Sequence, residues 1–177
     1  MTQSEAKRLI EEAGFKKDEP VKWVDLGCGS GLFSHALAEL LPKDSEILMV
    51  DKVNQAPIKS QMGGVHFKFL QIDFNEQPLP DSDFDGILMA NSLHYVKNKK
   101  PFIQKLKNHL SENGRLIIVE YDTVQSNSWI PYPLNLWQLK QLFRGAGFES
   151  VRKIGERPSR YGQKNMYAVE LIMTNDQ

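Results

Sequence analysis

Apolar residues along this chain fall into two alternating rhythms. Short apolar runs at 22–26, 46–51, 65–72, 84–90 and 115–121, bounded by turn residues, read as strands, most of them buried on both faces. Between them, 32–41, 101–110 and 136–146 carry apolar residues at helical spacing. In 101–110, Phe102, Leu106 and Leu110 share one face, and Asn113 or Gly114 is the expected left-handed cap. Ahead of the first strand, Ala6, Leu9, Ile10 and Ala13 predict a short helix, with Ser4 as its N-cap and Gly14 at its end. The stretch 52–62 contains Pro57 and is short for a crossover, so it predicts one or two helical turns. Two further strands, 148–154 and 165–173, close the chain. This alternation predicts an α/β protein built on a parallel sheet.

One segment breaks the rhythm. Residues 123–135 hold Trp129, Pro131, Tyr132 and Pro133 without a clear period. A loop this long and aromatic suits a lid or a binding wall.

Composition narrows the picture. At 177 residues the chain predicts one domain. Lys plus Arg and Asp plus Glu balance at 22 each, so no bulk charge draws it to nucleic acid or to a membrane. Cys28 is the only cysteine and reads as a small residue in a tight turn. With no internal disulfide possible, a reducing, cytoplasmic location is the expectation. No His or Cys spacing points to a metal, and no apolar stretch is long enough to span a bilayer.

The candidate chemistry begins at Asp25-Leu26-Gly27-Cys28-Gly29-Ser30-Gly31. Its place between a strand and a helix predicts a tight turn whose free N–H groups face a ligand. Gly27, Gly29 and Gly31 stand first, third and fifth, whereas the dinucleotide fingerprint has its glycines first, third and sixth. Asp25 would repel a pyrophosphate and attract an ammonium group. Asp51 ends the second strand about 20 residues on, the spacing at which a carboxylate accepts from both ribose hydroxyls.

The heptapeptide resembles the first motif of the class I S-adenosylmethionine (SAM)-dependent methyltransferases. The resemblance covers residues 21–173 and implies a single-domain, seven-stranded, mostly parallel doubly wound sheet. Helices cover both faces, and a C-terminal antiparallel hairpin closes the sheet. Residues 1–20 would form an N-terminal helix and linker, and 21–177 the SAM-binding domain. In that family the glycine loop cradles the methionine part of the cofactor. The resemblance also implies that Asp73 meets the adenine amine, that the Phe74 segment meets the ring, and that Asn91 belongs to a fourth motif. The Asn-Pro-Pro-Tyr form of amino-directed nucleic-acid methylases is absent from 91–95, which counts against a DNA base.

Methyl transfer from a sulfonium is an in-line displacement governed by positioning. His94 is the candidate for orientation or proton removal, with Tyr95, Glu120, Tyr121 and Asp122 at the same sheet edge. The expected acceptor wall combines Tyr95, Trp129 and Tyr132 with Arg157, Arg160 and Tyr161 of the last hairpin. Lys97, Lys99 and Lys100 lie near that edge. The reading is therefore a SAM-dependent methyltransferase acting on a small, unidentified molecule. RNA or protein acceptors, a non-catalytic SAM-binding partner subunit and a nicotinamide-dependent oxidoreductase stay open, and the oligomeric state is unknown.

Overall fold

A computed structural model describes residues 1–54, 60–158 and 165–173. The described elements are α1 (Gln3–Ile10), β1 (Lys22–Leu26), α2 (Leu32–Ala38), β2 (Glu46–Asp51), β3 (Gln61–Met62), β4 (Val65–Gln71) and β5 (Phe84–Ala90). They continue with a 3-10 turn (Leu93–Tyr95), α3 (Lys99–Lys107), β6 (Leu110–Tyr121), α4 (Leu136–Arg144), β7 (Phe148–Arg157) and β8 (Met166–Met173). The strands form one sheet in the order β3-β4-β2-β1-β5-β6-β8-β7. Neighbours from β4 to β6 run parallel. β8 runs antiparallel to both β6 and β7, which is the expected closing hairpin.

Among the described residues the sheet has eight strands rather than seven. The extra one, β3, is two residues long and pairs antiparallel with β4 across a Gly63-Gly64 turn. It occupies the end of the segment expected to be helical; residues 55–59 lie outside the described residues.

Alternation along the strands divides the core into two layers. Val24, Leu26, Ile87, Met89, Leu116 and Ile118 pack against α3 and α4 through Phe102, Ile103, Leu106, Leu139 and Phe143. Trp23, Ile47, Met49, Leu88, Ile117 and Val119 pack against α1 and α2 through Leu9, Ile10, Phe33 and Leu37. Helices thus cover both faces, and the strand ends stay clear for chemistry.

Two boundaries differ from the sequence reading. Thr2, not Ser4, caps α1: its hydroxyl accepts from Glu5 N–H, and Glu5 reaches back to Thr2 N–H at 2.7 Å. That reciprocal pair satisfies two free donors at once. Residues 111–114 do not cap a helix but belong to β6, and neither Asn113 nor Gly114 takes a positive φ. Leu110 pairs with Phe84 and Arg115 with Gly86, so residues 111–114 bulge within the register shift of β6 instead of ending a helix.

The N-terminal segment belongs to the same core. Buried Glu170 accepts from Gly14 N–H at 2.8 Å and ion-pairs with Arg115 and Arg152. Its partners outweigh desolvation and hold its carboxyl below the usual range.

Candidate functional site

The carboxyl ends of β1, β2, β4 and β5 converge on a cavity of about 260 Å³. Gly27 comes from the β1 turn, and Asp51, Lys52 and Val53 follow β2. Ile72, Asp73, Phe74 and Asn75 follow β4, while Asn91, Ser92 and Tyr95 follow β5.

The β1 turn is shaped by its glycines. Gly27, Gly29 and Gly31 have φ of +80°, +53° and +83°, which L side chains rarely adopt. A Cβ on Gly27 would lie 2.5 Å from that of Ser92, so the turn packs against the start of the β5 loop. A Cβ on Gly29 would meet nothing within 4 Å, so this backbone borders open space. Ser92 fixes the junction by donating its hydroxyl to the Leu26 carbonyl at 2.6 Å.

Two carboxylates flank the turn. Asp51 accepts from Gly29 N–H at 2.8 Å and Val53 N–H at 3.0 Å, which ties the end of β2 to the glycine turn. Asp25 is 1% exposed and accepts from the Ser34 hydroxyl at 2.5 Å. Its other oxygen, Oδ1, is buried without a partner among the described residues. Burial raises its pKa to about 7; the Ser34 bond opposes that rise and the Asp51 charge adds to it. Burial also pushes the Cys28 thiol up, leaving it a packed neutral side chain rather than a nucleophile.

On the opposite wall, Asp73 accepts from Asn75 N–H at 2.9 Å and so forms the turn that carries Phe74. The Phe74 ring packs on Phe102 at 5.7 Å. Asn91 has a φ of +54° and donates its N–H to the Val119 carbonyl, and its side-chain oxygen is buried without a partner among the described residues.

His94 lies behind this wall, 3% exposed. Glu120 accepts from its backbone N–H at 3.0 Å and meets Nδ1 at 2.7 Å. A carboxylate accepts only, so Nδ1 carries the hydrogen and Nε2 is the basic nitrogen. Its ring packs against Tyr95, tilted by 53° with centroids at 4.3 Å, and its carbonyl accepts from Tyr132 N–H at 3.0 Å.

Residues 17–158 match the methyltransferase domain family. The chain belongs to this family. It is a class I SAM-dependent methyltransferase domain. It is similar to a ubiquinone/menaquinone biosynthesis C-methyltransferase from Pseudomonas aeruginosa, 26% identical over 124 residues, or 67% of this chain and 48% of that one. The chain spans about half the length of the curated relatives it matches. Among solved structures it resembles the Burkholderia thailandensis 1,6-didemethyltoxoflavin-N1-methyltransferase. The TM-score is 0.72 at 19% identity, covering 98% of this chain and 78% of that one. A SAM-dependent methyltransferase from Aquifex aeolicus gives a TM-score of 0.64 at 18% identity, covering 98% and 100% of the two chains. These structural likenesses concern the fold.

Within this methyltransferase domain, Gly27, Asp51, Asp73, Phe74, Asn91 and Tyr95 meet at one cavity. Asp25, Gly29, Gly31 and His94 do not line it, though the His94 ring packs against Tyr95. Trp129 is 78% exposed and lines neither this cavity nor the one beside it; Tyr132 lines the neighbour. Arg157 is turned away, ion-paired with Glu5 of α1 at 3.1 Å. Arg160 and Tyr161 lie outside the described residues. Lys99 is not a surface cation: its ammonium donates to the Val96 and Tyr132 carbonyls, both at 2.7 Å. Burial pulls its pKa down to about 8. Sequence reasoning missed Ser92, whose role depends on an approach of β5 to β1 that no local pattern encodes. Among the described residues, no group of three or more His, Cys, Asp or Glu could hold a metal ion, and no helix is long and apolar enough to cross a membrane.

The site suits the family's cofactor. Among the described residues, Asp25 Oδ1 and Asn91 Oδ1 are buried acceptors without partners, and the Gly29 backbone is open. An amino acid ammonium and a polar adenine edge would satisfy such acceptors.

Proposed function

We propose that this chain binds SAM in the cavity at the ends of β1, β2, β4 and β5 and transfers its methyl group to a small-molecule acceptor in the cytoplasm. The observation that carries the reading is the convergence of Gly27, Asp51, Asp73, Phe74 and Asn91 from four strands onto one cavity. Asp25 and the Gly27–Gly31 turn would hold the amino acid end, Asp51 the ribose, and Asp73 with Phe74 the adenine. Bound there, the cofactor supplies an electrophilic methyl carbon. The residues of this chain contribute a preorganised, partly enclosed site, which is the larger part of catalysis in an in-line displacement.

His94 serves this reading better as a positioning residue than as a base. Its ring is buried and held by Glu120, and it reaches the cavity only through Tyr95, which packs against it and lines the cavity wall. Tyr95 and Tyr132 would meet the acceptor, with Trp129 at the rim. The relatives support a small acceptor: the Burkholderia enzyme was solved with 1,6-didemethyltoxoflavin and S-adenosylhomocysteine bound.

Calorimetry with SAM, S-adenosylhomocysteine and NAD, followed by a methyl-transfer screen over metabolite pools and RNA, tests the proposal. Binding of the first two ligands and labelling of a small molecule are expected. Tight NAD binding with no response to either SAM-type ligand overturns the cofactor assignment, and labelling of RNA alone overturns the acceptor class.

A further inference from the structure

A second cavity, of about 530 Å³, adjoins the first. The two share Lys52, Asp73, Asn75 and Tyr95, so a molecule in one touches the walls of the other. Its volume falls within the usual range for small-ligand sites, roughly 300–1,000 Å³. Three lysines line it: Lys52 after β2, Lys97 ahead of α3, and Lys105 on α3. None of the three forms an ion pair among the described residues, whereas Lys7, Lys16, Lys22, Lys68 and Lys153 all do. Two carboxylates, Asp73 and Glu76, share the lining, and Asp73 already accepts from Asn75 N–H. The lining therefore carries an excess of positive charge. Tyr95, Tyr132 and Phe102 supply flat apolar surface beside these charges.

The cavity wall is built rather than incidental. The half-buried Lys99 ammonium bridges the Val96 and Tyr132 carbonyls, and Tyr132 N–H donates to the His94 carbonyl. Two of these bonds tie the aromatic loop at Tyr132 to the β5–α3 segment. A wall held in place before binding lowers the ordering cost of a ligand.

We propose that this second cavity is the acceptor subsite and that it takes a flat molecule bearing a phosphate or carboxylate. The rings hold the body of the acceptor, and Lys52, Lys97 and Lys105 hold the anion. This inference rests on the methyltransferase reading above, because the acceptor must abut the cofactor cavity through Tyr95.

The test titrates the S-adenosylhomocysteine-loaded protein with phenyl phosphate, benzoate and phenol by calorimetry. At least one anionic probe should bind about tenfold or more tighter than phenol, since ionised hydrogen-bond partners are the stronger ones. The preferred anion identifies the acceptor as a phosphate or a carboxylate. A K97Q/K105Q double variant should lose that preference while keeping its S-adenosylhomocysteine affinity, and K140Q on α4 should keep both. Equal or tighter binding of phenol overturns the proposal, as does a preference that survives K97Q/K105Q. Failure to bind S-adenosylhomocysteine at all overturns the methyltransferase reading instead, so the two failures are distinguishable.

Discussion

Glu120 grips His94 at two atoms, accepting from the backbone N–H at 3.0 Å and meeting Nδ1 at 2.7 Å, with both side chains almost wholly buried. One residue at the end of β6 therefore sets both the backbone and the ring of the turn that follows β5.

Replacing Glu120 by Ala strands two buried donors. The expected cost is about 1–3 kcal/mol for each unsatisfied group, read as a lower urea midpoint. E120Q keeps one acceptor and should fall between E120A and the parent. S-adenosylhomocysteine affinity should hold in both, because neither Glu120 nor His94 lines the cofactor cavity. An unchanged midpoint in E120A would show that the grip does not stabilise the fold.

Asp25 makes stability depend on pH. Its pKa stands at about 7 in the folded chain, against 3.8 for an unburied carboxyl, because burial disfavours the charge. Between those values the folded state binds the extra proton. The contribution of this group is thus full below the unfolded value and is lost as pH rises through about 7. D25N carries no titrating group and should gain on the parent as pH rises from about 5 to about 8. Melting temperatures of the two proteins across that range check this. A constant gap between them would contradict it.

Gly27 and Gly29 should separate folding from binding. G27A drives a methyl into Ser92 and should lose folded protein. G29A meets open space, so its cost is the left-handed backbone alone, about 1–2 kcal/mol. It should remain folded yet bind S-adenosylhomocysteine more weakly, its methyl standing where the ligand approaches. Equal behaviour of the two variants in thermal melts would refute the distinction.

Asp51 bridges the glycine turn and the proposed ribose site. D51A should bind S-adenosylhomocysteine roughly ten- to a hundred-fold more weakly, the loss expected for hydrogen bonds to a charged acceptor. Undiminished affinity by calorimetry would assign the ribose to another group.

Trp129 and Arg157 should part company. Trp129 is exposed, so W129A should leave the melting temperature nearly unchanged and should lower turnover or raise the acceptor KM. Arg157 is ion-paired with Glu5 in a mostly buried setting, so R157A should cost about 1 kcal/mol of stability. A destabilised W129A with normal turnover would make that residue a packing element alone.

The sequence alone determined the frame. β1, β2 and β5 begin and end where their apolar runs do, because a buried strand needs a continuous apolar stretch and stops where turn residues follow it. The Gly27–Gly31 turn and Asp51 were legible for a related reason: positive φ and strand-end carboxylates are local demands met by particular residue types. What only the tertiary structure decided involves partners far apart in the chain. β6 starts at Leu110 opposite Phe84 and bulges through 111–114 before regular pairing with β5 resumes at Arg115, a partnership that no local cap signal encodes. Arg157 turns to Glu5, 152 positions away, and Lys99 is drawn inward to two carbonyls, so neither stands at the acceptor wall as its type suggested. The pairing of His94 with Glu120 and the second cavity arise the same way. They depend on which strands become neighbours, and that is settled by burial of the whole sheet rather than by any single stretch of it.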